Sequence, residues 1–372
     1  MPFSTMTSCH QGQNLEVLAI NLQAGISSRT LTIGQGWGAW TTVPGTEKRQ
    51  FSKLLGASTF TNNYAHAVGL DATDGRPYLI SRAPGFGWQF KGPVSAVPAG
   101  TFSEAALIGV YSYNSASTDG LQLVLIRADN SQPVLMSQDL STWQWSDNTS
   151  KLPDKFAKAQ LSKVYAARDG NAGGLHVLGV NKLDGSLVGA FQDASTLQWT
   201  SIADLPGVSA MQGAFSLGFN GNLYFIFVCS GAAAGLLGII WQSHDDGTWH
   251  SDGLMPTRPG PASPIVFSSV SAAKGLGDNV GTLQVVGVGT DPAFPNTVAD
   301  AYVMLQDEEG HWGWSGGLIP PLASVGYTAV ECGVGNDGLI QVLLLDKSGD
   351  ISLFFQPDPY NQAYRFVPEP WG

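Results

Sequence analysis

The feature that most constrains the fold is an apolar residue followed by proline, a pair that recurs seven times in the chain. The pairs are Val43-Pro44, Val97-Pro98, Leu152-Pro153, Leu205-Pro206, Met255-Pro256, Ile319-Pro320 and Val367-Pro368. A spacing of about 50 residues between pairs, together with short strand-like runs, is typical of the blades of a β-propeller. It does not fit the helical repeats of a solenoid.

Three further markers recur in phase with this pair. A large polar residue stands second in the first apolar run of each unit: Glu16, His66, Gln122, His176, Tyr224, Gln284 and Gln341. A glutamine ends the following run in six units, at Gln35, Gln138, Gln192, Gln242, Gln306 and Gln356, with Ser81 in the remaining one. An aromatic residue precedes each proline: Trp40, Trp88, Trp145, Trp199, Trp249, Trp314 and Phe366. The units are therefore predicted to share one structure.

Each unit also has an apolar stretch ahead of the polar-marked run, such as Leu54 to Phe60. With the alternation seen in Leu175-His176-Val177, this indicates four antiparallel strands per unit. We therefore expect an all-β chain that forms a single seven-bladed β-propeller domain over residues 1-372. The expected blades cover approximately 1-44, 45-98, 99-153, 154-206, 207-256, 257-320 and 321-372.

Charge and composition narrow the classes of partner. The formal net charge is −11 and only 18 residues are Lys or Arg, so we expect neither nucleic-acid nor anionic-membrane binding. The three cysteines, Cys9, Cys229 and Cys332, form no metal-type doublet and cannot all pair. Since the first residues also lack the pattern of a signal peptide, we expect a reducing, cytoplasmic location. The alternative is a disulfide between Cys9 and Cys332.

Short motifs resemble a family of sugar-binding propellers. They are Leu15-Glu16-Val17, then Trp37-Gly38-Ala39-Trp40, Trp143-Gln144-Trp145 and Trp312-Gly313-Trp314. With the strand-ending glutamines, they are similar to the seven-bladed fucose-binding lectins of the Photorhabdus type, and more distantly to the six-bladed fungal fucose lectins. The resemblance covers all seven units and implies a lectin-like propeller.

The chain departs from that family where the sugar pockets are expected. Those lectins repeat a His and a Trp just before the strand-ending glutamine, whereas only Trp241 fits that pattern here. Since avidity comes from many equal sites, a chain that repeats its scaffold but not its pocket residues is expected to have at most one or two individual sites.

The sequence lacks the motifs of the common hydrolases, metalloenzymes and phosphate-binding proteins. We expect no cofactor and no metal. A cofactor-free reaction can still proceed in a site that holds two reacting ends together. The predicted donors to a substrate carbonyl are Arg168, His10, His66 and Tyr165, and the predicted binding residues are Trp88, Trp241, Tyr327, Tyr111 and His176.

Three functions follow as hypotheses. The first is a cyclase of a natural-product pathway, by analogy with fungal hetero-Diels–Alderases, which join a tropolone quinone methide to a sesquiterpene on lectin-like propellers. Its ligand would be a small apolar or aromatic molecule. The second is a non-enzymatic lectin for fucose or an O-methylated sugar. The third is a platform for protein interaction, which predicts a large apolar face and no deep pocket.

Overall fold

The structure, a computed structural model, describes residues 2–11, 14–22, 25–32, 36–58, 64–110, 120–139, 142–169, 173–218, 221–255, 264–274, 283–293, 298–306, 310–318, 326–334, 339–355 and 367–368. The fold is a seven-bladed β-propeller with four-stranded antiparallel blades, which confirms the predicted fold class. Each blade is one sheet of strands in sequence order, and the first sheet carries an additional short strand.

The strands of the first four sheets are as follows. Sheet 1 contains β1 (Phe3–Gln11), β2 (Asn14–Asn21), β3 (Gly25–Thr32), β4 (Gly36–Trp37) and β5 (Thr41–Thr42). Sheet 2 contains β6 (Phe51–Ser58), β7 (Ala65–Asp71), β8 (Pro77–Arg82) and β9 (Gln89–Pro93). Sheet 3 contains β10 (Phe102–Val110), β11 (Gly120–Arg127), β12 (Pro133–Asp139) and β13 (Gln144–Asp147). Sheet 4 contains β14 (Leu161–Arg168), β15 (Leu175–Asn181), β16 (Leu187–Gln192) and β17 (Trp199–Ile202).

The other three sheets repeat this order. Sheet 5 contains β18 (Ala210–Leu217), β19 (Leu223–Cys229), β20 (Leu237–Gln242) and β21 (Trp249–Leu254). Sheet 6 contains β22 (Val266–Lys274), β23 (Leu283–Thr290), β24 (Asp300–Gln306) and β25 (Trp312–Leu318). Sheet 7 contains β26 (Tyr327–Val334), β27 (Ile340–Asp346), β28 (Ile351–Phe355) and β29 (Val367–Pro368).

The second strand of each sheet is the most apolar for a physical reason. In β7, β19 and β27 every residue is buried. A strand that is covered on both faces reads as a continuous apolar run, whereas a half-exposed strand alternates. These strands are the apolar runs whose second residue is the polar marker. The marker is therefore a polar side chain in an otherwise apolar, buried strand.

Strand pairing corrects two of the glutamine markers. In each sheet, the residue just before the polar marker pairs with one residue of the third strand. That third-strand residue is Leu31 in sheet 1 and Arg82 in sheet 2. The sequence predicted Gln35 and Ser81 there; Gln35 lies outside the described residues. Gln138, Gln192 and Gln242 hold this position in sheets 3 to 5, as predicted.

Two of the aromatic markers are corrected in the same way. An aromatic residue of the fourth strand pairs with the marked residue of the third strand. In sheet 1 Trp37 pairs with Leu31, and in sheet 6 Trp312 pairs with Gln306. The sequence predicted Trp40 and Trp314. In both units two tryptophans lie close together, and only the pairing shows which of them belongs to the repeat.

Two compact units make up the chain, residues 4–207 and residues 1–3 with 208–372. In the first unit, apolar side chains of adjacent sheets form shared cores; one contains Val68, Leu107 and Trp145. In the second unit, a comparable core contains Ile226 and Met304. The core of this fold therefore lies between the sheets.

The described residues contain very little helix. The helix α1 (Asp154–Ala157) is a single turn. Its Phe156 is fully buried and packs between sheets 3 and 4. In the part of the chain that the structure describes, no helix has the length and apolar character of a membrane span.

Candidate functional site

The candidate site is a cleft of about 380 Å³ where sheets 2 and 3 meet. It lies within residues 4–207. Its lining residues come from the third and fourth strands of the two sheets and the turns beside them: Leu79, Lys91, Gly92, Pro93, Ser95, Gln138, Trp143 and Trp145. The cleft therefore combines two indole rings with an amine, a hydroxyl and an amide.

Trp143 is the exposed aromatic residue of the cleft. Its side chain is 38% exposed, whereas Trp145 is 6% exposed and belongs to the core. Trp143 lies in the turn between β12 and β13 with φ of 59°, a left-handed conformation that is costly for a bulky residue. The Gln138 amide Nε2 donates to the Trp143 carbonyl at 3.3 Å and holds this turn. The indole face is thus presented by a constrained backbone.

Two more aromatic rings support Trp143 from sheet 2. Tyr64 stacks on His66, with ring centroids 5.8 Å apart and an interplanar angle of 11°. Trp143 is tilted against both rings, at 5.7 Å from Tyr64 and 6.0 Å from His66. Aromatic pairs at these separations stabilise one another by about 0.5–1.5 kcal/mol beyond area burial. The trio fixes the indole in place.

His66 is neutral at physiological pH. It is fully buried, its Nδ1 lies 2.9 Å from the Ser81 hydroxyl, and its Nε2 has no hydrogen-bond partner among the described residues. Burial, assisted by the positive charge of Lys91, lowers the pKa of His66 to about 4. His66 therefore acts here as a polar aromatic ring and not as a cation.

The polar groups of the cleft have hydrogen-bonding capacity to spare. The Gln138 Oε1 is buried and has no partner among the described residues. The Lys91 ammonium donates to the Gln89 side chain at 2.8 Å and has two further protons to donate. Because a buried acceptor without a partner is unfavourable, the amide oxygen of Gln138 is well suited to accept a hydrogen bond from a ligand.

The corresponding junction of sheets 1 and 2 is closed by protein side chains. Glu16 is fully buried, and its Oε2 contacts the Arg82 guanidinium and accepts from Trp88 Nε1 at 3.1 Å. Thr30 donates to the same oxygen at 2.9 Å. Arg82 holds the position of Gln138, and Trp88 that of Trp145, so an ion pair stands where sheets 2 and 3 have an open cleft.

Other polar markers also reach the next sheet. Gln122 bonds Gln192 across sheets 3 and 4 at 3.4 Å, and Gln306 donates to the Tyr224 hydroxyl across sheets 6 and 5 at 3.0 Å. Four of the third-strand glutamines also donate to turn carbonyls: Gln138, Gln192, Gln242 and Gln306. These contacts give the polar markers an architectural role, because a buried polar side chain needs a hydrogen-bond partner.

The predicted donors whose side chains are described belong to two different sheets. His66 lies beside the cleft, whereas Arg168 and Tyr165 lie on β14 of sheet 4, both half-buried. His10 is in β1, but its side chain is outside the described part, as is all of Tyr111.

The predicted binding residues are also spread over several sheets. Trp88 and Tyr327 are buried in separate cores, at 5% and 2% exposure, so neither ring is available as an open wall. Trp241 on sheet 5 stacks on His250 at 4.4 Å and donates to Asp252 at 2.8 Å. His176 packs against Phe191 in sheet 4 at 4.7 Å.

The sequence did not identify most of the residues in or beside the cleft as candidates for ligand contact. These residues are Tyr64, Lys91, Ser95, Gln138 and Trp143. The signal that could have found them is Trp143-Gln144-Trp145, since residues two apart in an extended chain face the same side, which directs both indoles towards the same junction. Among the described residues, no group of three or more His, Cys, Asp or Glu side chains could hold a metal ion.

Solved structures place this architecture among lectins. A lectin of Burkholderia pseudomallei, BP39L, matches with a TM-score of 0.73 and 16% identity over 99% of both chains. The fucose-binding lectin of Aleuria aurantia, a six-bladed propeller, matches with a TM-score of 0.53 and 14% identity over 86% of this chain and 96% of that one. AofleA of Arthrobotrys oligospora matches at 0.55 and 12%, over 84% and 85%. No protein-family model and no curated protein matches the chain. The fold is thus that of a lectin-like propeller.

Proposed function

We propose that this protein binds a carbohydrate, a fucose-type or O-methylated monosaccharide, in the cleft between sheets 2 and 3. The observation that carries the proposal is the exposed Trp143 ring, held by Tyr64 and His66, which lines the same cleft as Gln138, whose amide oxygen has no hydrogen-bond partner among the described residues. A pyranose has an apolar C–H face and a rim of hydroxyls. The cleft offers a matching aromatic face and polar groups.

The polar groups suit a neutral ligand rich in hydroxyls. Gln138 Oε1 can accept from a sugar hydroxyl, while Lys91 and Ser95 can donate to one. His66 remains neutral because burial lowers its pKa to about 4, so the aromatic trio adds no charge to the site. The structural neighbours support this choice of ligand, since an Aleuria aurantia lectin was solved with α-methyl-L-fucoside.

The size of the cleft favours one sugar residue. Its volume of about 380 Å³ lies near the lower end of the ~300–1,000 Å³ range of small-molecule sites. The turn position of Trp143 is held by Phe86 in sheet 2, Leu197 in sheet 4 and Gly247 in sheet 5, so among these four sheets the indole belongs to sheet 3 alone. The site therefore has an individual character and is not a copy of a repeated pocket.

The test is titration of the protein with methyl α-L-fucoside, followed by calorimetry or by tryptophan fluorescence. Trp143→Ala should weaken binding about tenfold or more, because it removes the stacking face. Phe86→Ala is the matched control, since Phe86 has the same turn position in sheet 2, is 62% exposed and does not line the cleft. Equal losses in the two variants, or unchanged affinity in Trp143→Ala, would contradict the proposal.

A cofactor-free cycloaddition of a tropolone quinone methide with a sesquiterpene is the second candidate. The observation in its favour is the same individual character of the aromatic cleft, which suits one reaction site better than multivalent display. Of its predicted donors, His66 is in contact with Trp143. Formation of the cycloadduct faster than in buffer, lost in Trp143→Ala and not inhibited by methyl fucoside, would favour this function over sugar binding.

A further inference from the structure

A cluster of three ionisable side chains lies outside the cleft, on the first strands of sheets 2, 3 and 4. Lys53 on β6, Glu104 on β10 and Lys163 on β14 each follow an irregularity in pairing near the start of their strand. The Lys53 ammonium contacts Glu104 Oε1, and the Lys163 ammonium donates to Glu104 Oε2 at 2.7 Å. One carboxylate therefore serves two amines.

When all three side chains are ionised, the cluster carries two positive charges and one negative charge. The side chain of Glu104 is 3% exposed, that of Lys53 29% and that of Lys163 42%. With all three groups ionised the net charge is +1, and a desolvated net charge is unfavourable. Loss of one proton from an amine leaves a neutral cluster that retains one ion pair.

Lys53 is the amine that gives up its proton more readily. Burial, assisted by the like charge of Lys163, lowers the pKa of Lys53 to about 7. Burial also lowers the pKa of Lys163. The charged groups that face Lys53 are thus Glu104 and Lys163, while β7 places Leu70 beside it in the sheet. At neutral pH Lys53 is in part a free amine that solvent can still reach.

We infer that Lys53 is a nucleophilic amine that condenses with small aldehydes, held in its reactive state by the Lys53–Glu104–Lys163 cluster. The amine lone pair forms a bond to the aldehyde carbon as the C=O π bond breaks, and one proton passes from the nitrogen to the carbonyl oxygen to give a neutral carbinolamine. The Lys163 ammonium, held by Glu104, can donate the proton with which the hydroxyl leaves as water. The nitrogen then loses its own proton, which restores that of Lys163. The products are an imine and one water.

The experiment uses the full chain with propionaldehyde and cyanoborohydride, which reduces the imine to a stable secondary amine. Peptide mass spectrometry then gives the rate of labelling at each lysine. Lys158 is the internal reference, because its side chain is 72% exposed and pairs with Asp154 on the surface. Lys53 should be labelled at least about tenfold faster at pH 7, since an amine titrating near neutrality has on the order of 10³ more free base than an ordinary lysine.

Two variants separate the chemistry from a merely structural role. Lys163→Gln leaves Lys53 and Glu104 as a one-to-one ion pair, so labelling of Lys53 should fall towards the rate of Lys158. Trp143→Ala should leave it unchanged, which makes the result independent of sugar binding. Labelling of Lys53 no faster than that of Lys158, or an unchanged rate in a folded Lys163→Gln variant, would overturn the inference.

Discussion

Equivalent strand positions carry different side chains at the junction of sheets 1 and 2 and at the junction of sheets 2 and 3. In the first, Glu16 and Arg82 form a buried ion pair that also receives the Trp88 indole N–H. In the second, the equivalent positions are His66 and Gln138. A neutral ring and an amide cannot form such an ion pair, and a cleft lies at this second junction. We infer from the comparison that the side chains at these two positions control whether a blade junction is open.

The largest effect is expected when the closed junction loses its carboxylate. Glu16→Ala leaves the Arg82 charge, 18% exposed, without its partner and also removes the acceptor of Trp88 and Thr30. Removal of one partner of a buried ion pair lowers the free energy of unfolding by about 3–5 kcal/mol. Denaturant unfolding of the variant and the wild type measures this difference.

The control for this substitution is an exposed pair. Asp129→Asn breaks the pair with Arg127, in which the Asp129 side chain is 59% exposed, so the loss should be no more than about 1 kcal/mol. If the two substitutions cost the same, the buried pair does not hold the junction of sheets 1 and 2 together.

The next effect concerns the open junction and follows from the titration of His66. Burial, assisted by the charge of Lys91, lowers the pKa of His66 from 6.5 to about 4 in the folded chain. Between these values the unfolded chain binds the proton and the folded chain does not, so stability falls as the pH falls from about 6.5 towards 4. The loss attributable to His66 is up to about 3 kcal/mol.

A variant without a titrating group isolates this contribution. The unfolding free energy of the wild type minus that of His66→Gln should decrease from pH 7 to pH 4, since the other ionisable groups cancel in the difference. Parallel curves would show that His66 titrates normally and that its ring is not desolvated in the aromatic trio.

Exchange of the two residue pairs tests the comparison itself. The double variant His66→Glu, Gln138→Arg transfers the ion pair of the first junction to the second. The introduced guanidinium should occupy the cleft and lower the affinity for methyl fucoside by more than about tenfold, a cost of ~1.4 kcal/mol in binding. The single variant Gln138→Arg places a cation next to a buried neutral ring and should be less stable than the double variant. Undiminished binding in the double variant would mean that these positions do not control the opening.

The sequence predicts the fold far better than the site, for physical reasons. The seven apolar-Pro pairs and the polar markers reveal the period because every blade needs the same buried strand. Trp40 and Trp314 were misassigned because turns between the third and fourth strands vary in length, and a pairing register is a contact between distant residues that spacing does not give. The cleft was missed because its lining comes from two blades. In addition, the sequence does not show that Trp143 is exposed whereas Trp145 is buried.

The smallest effect concerns the backbone that presents Trp143. Its φ of 59° lies in the left-handed region, and the same turn position in sheets 5 and 6 is held by Gly247 and Gly310, with φ of 71° and 86°. A non-glycine residue in this conformation costs about 1–2 kcal/mol. Trp143→Gly and Trp143→Ala both lack the indole, so both should lose sugar binding. Trp143→Gly should nevertheless unfold at a free energy about 1 kcal/mol higher than Trp143→Ala, because only glycine adopts this φ without strain. Equal stability of the two variants would mean that the turn relaxes once the ring is gone, and that the aromatic trio itself imposes the left-handed backbone.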